Sequence, residues 1–363
     1  TRFAELHPLL EMRPGNGRIR EGHGDMHLGN IAVEEGRAII FDGIEFNANL
    51  RWIDVINEIA FLMMDLDRAG RHDLSQRFLN RWLAFSGDFE GLKLLHFYLV
   101  YRAMVRAKIA VLRLVQQIGD EERDKVTQQY RDYLALAERY MQPRQPALLL
   151  MSGPSGSGKS VVVRRLFATL PVIQLASDIE RKRLAGFDPL ERTESGLGGG
   201  IYSPEMGKRT YGRLLELSRL VIDAGFVAAA DATFLKQQQR GPFEALAREL
   251  GVPFLLLDLQ TPVEVLRQRI ETIEDPTDRA EVHRRIDVPV HLVWGRHDPF
   301  FPVERARDAL DEALDRERRR LMRANEERLE RYRQAYRAWA ASWPDVQREL
   351  EAEAGRRDAA QAE

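Results

Sequence analysis

The stretch GPSGSGKS, from Gly153 to Ser160, has the residue types and spacing of a phosphate-binding loop. It satisfies G-x-x-x-x-G-K-[ST], with an apolar run before it and a helical pattern after it. Glycines let backbone N–H groups curl around phosphate oxygens, and the N-terminus of the following helix attracts negative charge. Lys159 is expected to reach the β- and γ-phosphates and Ser160 to hold Mg²⁺. The expected nucleotide-binding residues are Gly153, Ser155, Gly156, Ser157, Gly158, Lys159 and Ser160. A Gly/Ser-rich turn that merely contains a lysine is the alternative, and the strand and helix in register disfavour it.

Polar residues after the next strands are candidates for catalysis and acceptor binding. Asp231 ends FVAAAD and begins DATF, where it can assist Mg²⁺ or act as the base, or simply cap the next element. Asp178 and Arg181, in SDIERKRL, can contact an acceptor or form a solvated first turn. Arg267 and Arg269 suit either a mobile lid or a solvated helix face.

Together these motifs resemble the P-loop kinase-like ATPases related to gluconate, shikimate and polynucleotide kinases, which are AAA-type ATP-binding proteins. The resemblance covers residues 147–270. It implies transfer of the γ-phosphate of Mg-ATP to a hydroxyl of a small molecule or of a polynucleotide end. An N-K-x-D motif for guanine is absent from the sequence, so ATP is the expected nucleotide. The alternative is an ATPase or nucleotide switch that engages a protein partner.

A second motif, GHGDMHLGN, stands near the start of the chain. His23, Asp25 and Asn30 have the spacing H-x-D-x-x-x-x-N, and Asp42 precedes a glycine after the next strand. Phosphoryl transfer uses carboxylates to orient an acceptor hydroxyl and to hold Mg²⁺. A hairpin turn with a capping Asp and Asn is the other interpretation.

This front motif resembles the catalytic loop of aminoglycoside phosphotransferase-like kinases. The resemblance implies that Asp25 is the catalytic base and that Asn30 and Asp42 are metal ligands. Such kinases also need a β-rich lobe that covers the nucleotide, and the residues before His23 contain no lysine and no Gly-rich phosphate loop. We therefore expect residues 1–142 to be the mostly helical C-terminal lobe alone, inactive unless that other lobe acts in trans.

The elements that position these motifs change character at MQPRQP, Met141 to Pro146, whose two prolines suggest a linker. Helical patterns dominate before it, among them WIDVINEIAFLMMDL. Beyond it, apolar runs such as ALLLMSG alternate with helical patterns and predict a doubly wound parallel α/β sheet. VPVHLVWG, Val288 to Gly295, is expected as the last strand. The predicted domains are residues 1–142, 143–302 and 303–363.

The end of the chain gives two further predictions. From Val303 onward, apolar residues at spacings near three, four and seven predict a long charged amphipathic helix. It either packs on its own domain or engages a second copy or another partner. The preceding segment is similar to the late strand and turn of α/β-hydrolases, in which a residue placed like Asp298 is the triad acid. Since the G-x-S-x-G motif is absent from the sequence, we expect Asp298 to cap a turn and His297 to be an ordinary loop residue.

Composition limits the class of protein. Apolar and charged contents of 44% and 30% are those of a soluble globular protein, and a net charge of −2 gives no general attraction to nucleic acid. The absence of cysteine excludes disulfides, thiolate metal sites and cysteine nucleophiles. Arginines and a lysine interrupt the most apolar stretch, residues 94–115, so we expect no membrane span. The N-terminal segment TRFAELHPLLEMRPG lacks a charged start followed by an apolar core and a cleavage site, so we expect no signal peptide. The expected location is the cytoplasm.

Overall fold

The computed structural model describes residues 2–114, 116, 119–154, 157–189, 202–259 and 290–293. Thr1–Asp308 forms one compact unit, and the second unit, Ala309–Glu363, lies outside the described residues. The predicted C-terminal helix therefore lies outside them as well. The fold is α/β, with a helical part followed by a sheet that contains four parallel strands. The fold class predicted from the sequence is confirmed to this extent.

The described residues before the linker form α-helices and two small antiparallel sheets. The helices α1 to α5 span Arg2–Gly15, Val55–Arg68, His72–Ser86, Leu92–Leu114 and Asp120–Met141. In one sheet β1 (Ile19–Glu21) pairs with β4 (Trp52–Asp54), and in the other β2 (Ile31–Glu34) pairs with β3 (Arg37–Ile40). None of the helices that the structure describes combines the length and the apolar character needed to cross a membrane.

The start of α2 differs from the sequence prediction. The pattern predicts a helix from Trp52, but Trp52–Asp54 forms a strand and the helix begins at Val55. This strand pairs with Ile19–Glu21, which lies far earlier in the chain. The carboxylate of Asp54 then accepts an N–H of the first helical turn and caps the helix. Pairing between distant segments has overridden the local helical pattern here.

A buried ion triad ties α1 to the rest of the helical part. Arg13 is 2% exposed and donates to both carboxylate oxygens of Asp54, at 2.8 and 2.6 Å, and to Asp88 Oδ1 at 2.7 Å. Burial by itself lowers the pKa of Arg13, but the two carboxylates outweigh this effect and raise the pKa. The guanidinium therefore stays charged in the interior, where it balances the charges of the Asp54 and Asp88 carboxylates.

Replacement of Arg13 by alanine is expected to lower the free energy of unfolding by about 3–5 kcal/mol, because two buried carboxylates lose their partner. Urea unfolding followed by circular dichroism measures the loss. Arg20→Ala is the matched control, since Arg20 is exposed and donates to the Gly17 carbonyl oxygen at 3.0 Å. For this variant we expect a change within about 0.5 kcal/mol. Equal losses for the two variants would contradict the prediction.

The second part of the chain is built on a central sheet. Its parallel strands β5 to β8 span Leu148–Ser152, Val172–Ala176, Val227–Asp231 and Phe254–Leu259. The strand order is β6-β7-β5-β8-β9. The chain leaves β5 toward one side of the sheet and reaches β8 on the other side. The carboxyl end of β5 therefore lies where the connections reverse, which is where sheets of this kind bind ligands.

Helices connect these strands, and a further strand pairs with β8. The helices α6 to α9 span Lys159–Leu166, Ser177–Leu184, Pro204–Asp223 and Gln237–Leu250. This strand, β9, covers Val290–Val293, within the segment predicted from the sequence. It pairs antiparallel with β8, so the sheet is mixed rather than wholly parallel. An antiparallel strand at the edge of a parallel sheet is a common arrangement.

The helical part and the sheet share one hydrophobic core. Leu79 and Leu83 of α3 are buried in the same cluster as Ile173 and Leu175 of β6. The central strand β5 is buried along its whole length, as expected for a strand covered on both faces. The division into domains at residue 142 remains a prediction.

Candidate functional site

The phosphate loop connects the end of β5 to the start of α6 at Lys159, as the sequence analysis expects. Gly153 has a φ of +138°, and an added Cβ there would lie 2.9 Å from a backbone oxygen of β8. Gly158 has a φ of +94° directly before the helix. Both positions therefore require glycine. Ser157 is fully buried, and the Gly153 N–H donates to the Thr233 carbonyl oxygen at 3.1 Å, which ties the loop to DATF.

Lys159 folds back onto the loop that precedes it. Its Nζ donates to the carbonyl oxygens of Gly153 and Pro154, at 2.8 and 2.7 Å. Burial lowers the pKa of Lys159, and the negative charge of Asp231 opposes that shift. The ammonium group is thus held at the loop, close to a carboxylate, where phosphate oxygens can replace the carbonyl oxygens as acceptors.

Asp231 is the centre of a hydrogen-bond cluster at the carboxyl edge of the sheet. Its Oδ2 accepts the Ser160 hydroxyl at 2.6 Å and the Gln174 amide Nε2–H at 2.7 Å. Asp231 ends β7, the neighbour of β5, and is 6% exposed. The structure therefore brings together Ser160 and Asp231, the two residues that the sequence analysis expected to share Mg²⁺ in this part of the chain.

Gln174 is a site residue that sequence reasoning missed. It lies in the middle of β6, and Ala176 of the same strand pairs with Asp231. Side chains two residues apart share a face of a strand, so the register points the Gln174 side chain toward the Asp231 face. In the sequence, Gln174 could have been identified as the one long polar residue inside the apolar run VIQLA.

Asp178 and Arg181 lie on α7, directly after β6, at the same edge of the sheet. The Asp178 carboxylate, half-exposed, accepts Lys182 Nζ at 2.7 Å and lies 4.0 Å from an Arg181 nitrogen. The Tyr202 hydroxyl donates to Asp178 at 3.3 Å, and the Arg181 guanidinium lies 4.9 Å from the Tyr202 ring centre. The two candidate residues thus sit beside an aromatic ring in a partly open, charged surface.

The front loop also brings its predicted residues together. Asn30 is buried and its Nδ2 donates to the Asp25 carbonyl oxygen at 3.0 Å, to Asp25 Oδ2 at 3.3 Å and to the Asp42 carbonyl oxygen at 3.5 Å. The Asp42 side chain is exposed, and its φ of +61° is rare for a residue with a side chain. The ring of His23 contacts the Phe41 carbonyl oxygen at 2.7 Å and holds the loop to the hairpin.

A histidine and two arginines favour the charged form of Asp25, and His27 Nε2 lies 3.4 Å from Asp25 Oδ2. The hydrogen bond from His27 lowers the pKa of Asp25, burial opposes this, and the charges of Arg106 and Arg102 add to the lowering. Arg102 is itself buried, and its guanidinium donates to the Gly24 carbonyl oxygen at 3.1 Å. Asp25 is consequently held as a carboxylate, the form that a metal ligand or a base requires.

The oxygen atoms of Ser160 and Asp231 determine which metal ion could bind beside the phosphate loop. In the described part of the chain, no group of three or more His, Asp or Glu side chains is arranged to hold a metal ion. Ser160 and Asp231 offer one hydroxyl and one carboxylate. Mg²⁺ is commonly bound by one or two carboxylates together with substrate phosphates and water, so this oxygen pair fits it.

Several predicted positions lie outside the described residues. They are Ser155, Gly156, Arg267, Arg269, His297 and Asp298. Their roles in the loop, the lid and the late turn therefore remain predictions.

A protein-family model matches the part of the chain that contains the phosphate loop. Residues 148–287 match the family model described as AAA domain. The match begins at the strand before the phosphate loop and includes Lys159, Asp178, Gln174 and Asp231. It covers the part of the chain in which the loop and its neighbouring carboxylate meet.

Three relatives illustrate the similarity. An uncharacterized protein of Mycobacterium tuberculosis is 30% identical over 262 residues, which are 72% of this chain and 52% of that protein. An adenylyl-sulfate kinase of Myxococcus xanthus is 30% identical over 122 residues, 34% of this chain and 62% of that enzyme. The chain thus spans about half the length of the mycobacterial protein that it matches. A solved APS kinase mutant from Mycobacterium tuberculosis covers 37% of this chain and 97% of its own, at 21% identity and a TM-score of 0.25, an overlap too small to support an inference.

The loop, the parallel sheet and these similarities support a P-loop kinase-like domain in the second part of the chain, suited to nucleotide binding and phosphoryl transfer. The likeness of residues 1–142 to aminoglycoside phosphotransferases stays a prediction.

Proposed function

We propose that this protein is an ATP-dependent phosphotransferase that works through the phosphate loop at Gly153–Ser160. The observation that carries the proposal is the hydrogen bond between Ser160 Oγ and Asp231 Oδ2, 2.6 Å long, directly after the loop. It joins the hydroxyl at the start of α6 to the carboxylate at the end of the neighbouring strand. That pair is the one with which P-loop proteins hold the Mg²⁺ of Mg-ATP.

The chain's own residues divide the work in this proposal. Lys159 binds the β- and γ-phosphates, since its ammonium group already lies at the loop. Bound Mg²⁺ would neutralise charge on the phosphates, with Ser160 and Asp231 as its protein ligands. Asp178 and Arg181 would orient the acceptor hydroxyl, because they follow β6 at the same edge of the sheet.

A small-molecule acceptor is favoured over a polynucleotide end. One relative with a named activity is an adenylyl-sulfate kinase, whose name gives a small-molecule acceptor. The net charge of −2 also supplies no general attraction to a nucleic-acid backbone. The identity of the acceptor depends on the shape of the pocket rather than on the loop.

A phosphate-transfer screen tests the proposal. The protein is incubated with ATP labelled at the γ-phosphate and with adenylyl sulfate, sugars, aminoglycosides or oligonucleotides bearing a 5′-hydroxyl. We expect one acceptor class to become labelled by the wild type and not by Lys159→Ala. If ATP is hydrolysed and no acceptor is labelled, the transferase proposal fails and the nucleotide-switch alternative takes its place.

Asp25→Asn is expected to leave ATP turnover nearly unchanged, because the front loop and the phosphate loop belong to different parts of the chain. Steady-state ATP turnover of the purified variant measures this. Asp231→Asn, tested in the same assay, serves as the positive control for a loss. A large fall with Asp25→Asn would mean that the front loop is catalytic.

A further inference from the structure

The edge strand β6 is paired on its outer side by a side chain from the helical part. Asn80 of α3 donates from Nδ2 to the Val172 carbonyl oxygen at 2.8 Å, and its Oδ1 accepts the Gln174 backbone N–H at 2.7 Å. A residue of a neighbouring parallel strand would make the same two hydrogen bonds, on either side of Ile173. The carboxamide of Asn80 therefore stands in for a peptide group and fixes the backbone of β6 at this point.

Asn80 holds the backbone of Gln174, and the side chain of Gln174 contacts the Asp231 carboxylate. Gln174 donates from Nε2 to Asp231 Oδ2 at 2.7 Å, the same oxygen that accepts the Ser160 hydroxyl. A continuous series of hydrogen bonds therefore runs from Asn80 through Gln174 and Asp231 to Ser160. It begins in the helical part and ends at the first turn after the phosphate loop.

A second contact joins the same helix α3 to the helix that carries the acceptor candidates. Arg183 of α7 donates from Nη2 to the Ala84 carbonyl oxygen, near the C-terminus of α3, at 2.6 Å. An added Cβ at Gly87 would lie 3.0 Å from Arg183 Nε, and the φ of Gly87 is +65°, so this close approach favours glycine. Glu180, 2% exposed, pairs with the other side of the Arg183 guanidinium. Helix α3 thus contacts both β6 and α7.

We propose that Asn80 and Gln174 are positioning residues that hold the Asp231 carboxylate for the metal, so that the docking of α3 on β6 controls phosphoryl transfer. This inference rests on the proposed function. A carboxylate oxygen with two fixed donors keeps one orientation, and its remaining lone pairs and its second oxygen then face a fixed direction. Loss of either donor leaves the carboxylate free to rotate about its side-chain bonds.

Two single variants, at Gln174 and at Asn80, and the double variant that combines them test the inference. Gln174→Met removes the donor to Asp231 and leaves the backbone that Asn80 holds; Asn80→Ala removes both bonds to β6. We expect each to lower kcat for ATP turnover and to raise the Mg²⁺ concentration needed for half-maximal rate, both by about tenfold. The affinity for ATP measured in EDTA is expected to stay at the wild-type value, because Lys159 and the loop are untouched. The double variant is expected to equal Gln174→Met, because Asn80 acts through Gln174.

Hydrogen exchange of the metal-free protein gives a readout that needs no activity. The Gln174 backbone N–H is expected to exchange faster in Asn80→Ala and at the wild-type rate in Gln174→Met. Arg81→Ala, an exposed neighbour on α3, is the matched control and should change neither exchange nor kinetics. Asn80→Leu, which also removes both hydrogen bonds to β6 but keeps the size of the side chain, takes the place of Asn80→Ala if that variant does not fold.

Three results would overturn the inference, and they are distinguishable. Wild-type kcat and Mg²⁺ dependence in Asn80→Ala, in a protein whose wild type is active, would reject the inference and leave the proposed function standing. Additive effects in the double variant would mean that Asn80 has only a structural role. A wild type that neither binds nor turns over Mg-ATP would reject the proposed function, and the inference with it.

Discussion

Replacement of Lys159 by alanine is expected to weaken ATP binding by about 10- to 100-fold, a loss of about 1.5–3 kcal/mol of binding free energy. Its ammonium group donates to two loop carbonyl oxygens, at 2.8 and 2.7 Å, and is therefore already held where the phosphates of a nucleotide would lie. Charge-assisted hydrogen bonds to phosphate oxygens are among the strong ones in proteins. Alanine removes these donors and the positive charge together.

Isothermal titration calorimetry with ATP measures this loss. Lys208→Ala is the matched control, since Lys208 is an exposed residue of α8. Its affinity for ATP is expected to equal that of the wild type. If Lys159→Ala binds ATP as tightly as the wild type does, the nucleotide site lies elsewhere, and the front loop becomes the first place to look.

Replacement of Asp231 by asparagine is expected to lower ATP turnover by about 100-fold or more, because a metal ligand and its charge supply several kcal/mol of transition-state stabilisation. The Asp231 carboxylate is buried and accepts two donors on one oxygen, from Ser160 and Gln174. Asparagine keeps the size of the side chain but has a single acceptor oxygen and no charge. The variant should therefore keep the fold and lose the site for Mg²⁺.

Two measurements separate a loss of metal binding from a loss of nucleotide binding. They are ATP turnover over a range of Mg²⁺ concentrations and the affinity for ATP in EDTA. We expect the metal-free affinity for ATP to persist, because the loop and Lys159 remain. Asp223→Asn, an exposed carboxylate near the end of α8, is the control and should behave as the wild type. Wild-type turnover and Mg²⁺ dependence in Asp231→Asn would show that this carboxylate has no part in the chemistry.

Local patterns in the sequence determined the fold class and the position of the phosphate loop. The loop is recognisable because its glycines, lysine and serine are consecutive, and each type is required by backbone geometry or by charge. The alternation of apolar runs with helical patterns likewise predicted the strands from Leu148–Ser152 to Phe254–Leu259, since buried parallel strands are apolar throughout. Asp231 could be placed beside Ser160 because carboxyl ends of parallel strands meet at one edge.

Contacts between distant segments were beyond the reach of the sequence. The helical pattern from Trp52 gave no sign that Trp52–Asp54 would pair with Ile19–Glu21, and nothing in the sequence around Arg13 indicated that it would be buried against Asp54. Asn80 stands on α3 with nothing in its neighbours to indicate a partner on β6. Periodicity reports which face of an element is buried, but not which element covers it.

The sequence by itself therefore determined that a phosphate loop follows a buried strand and that a carboxylate ends another strand of the same sheet. Only the tertiary structure decided what holds that carboxylate in place: Gln174 from the edge strand, itself held by Asn80 of the helical part. The reason is physical. Motif residues are adjacent in the chain and obey local geometry, whereas the hydrogen bonds that orient them join segments that only the packed core brings together.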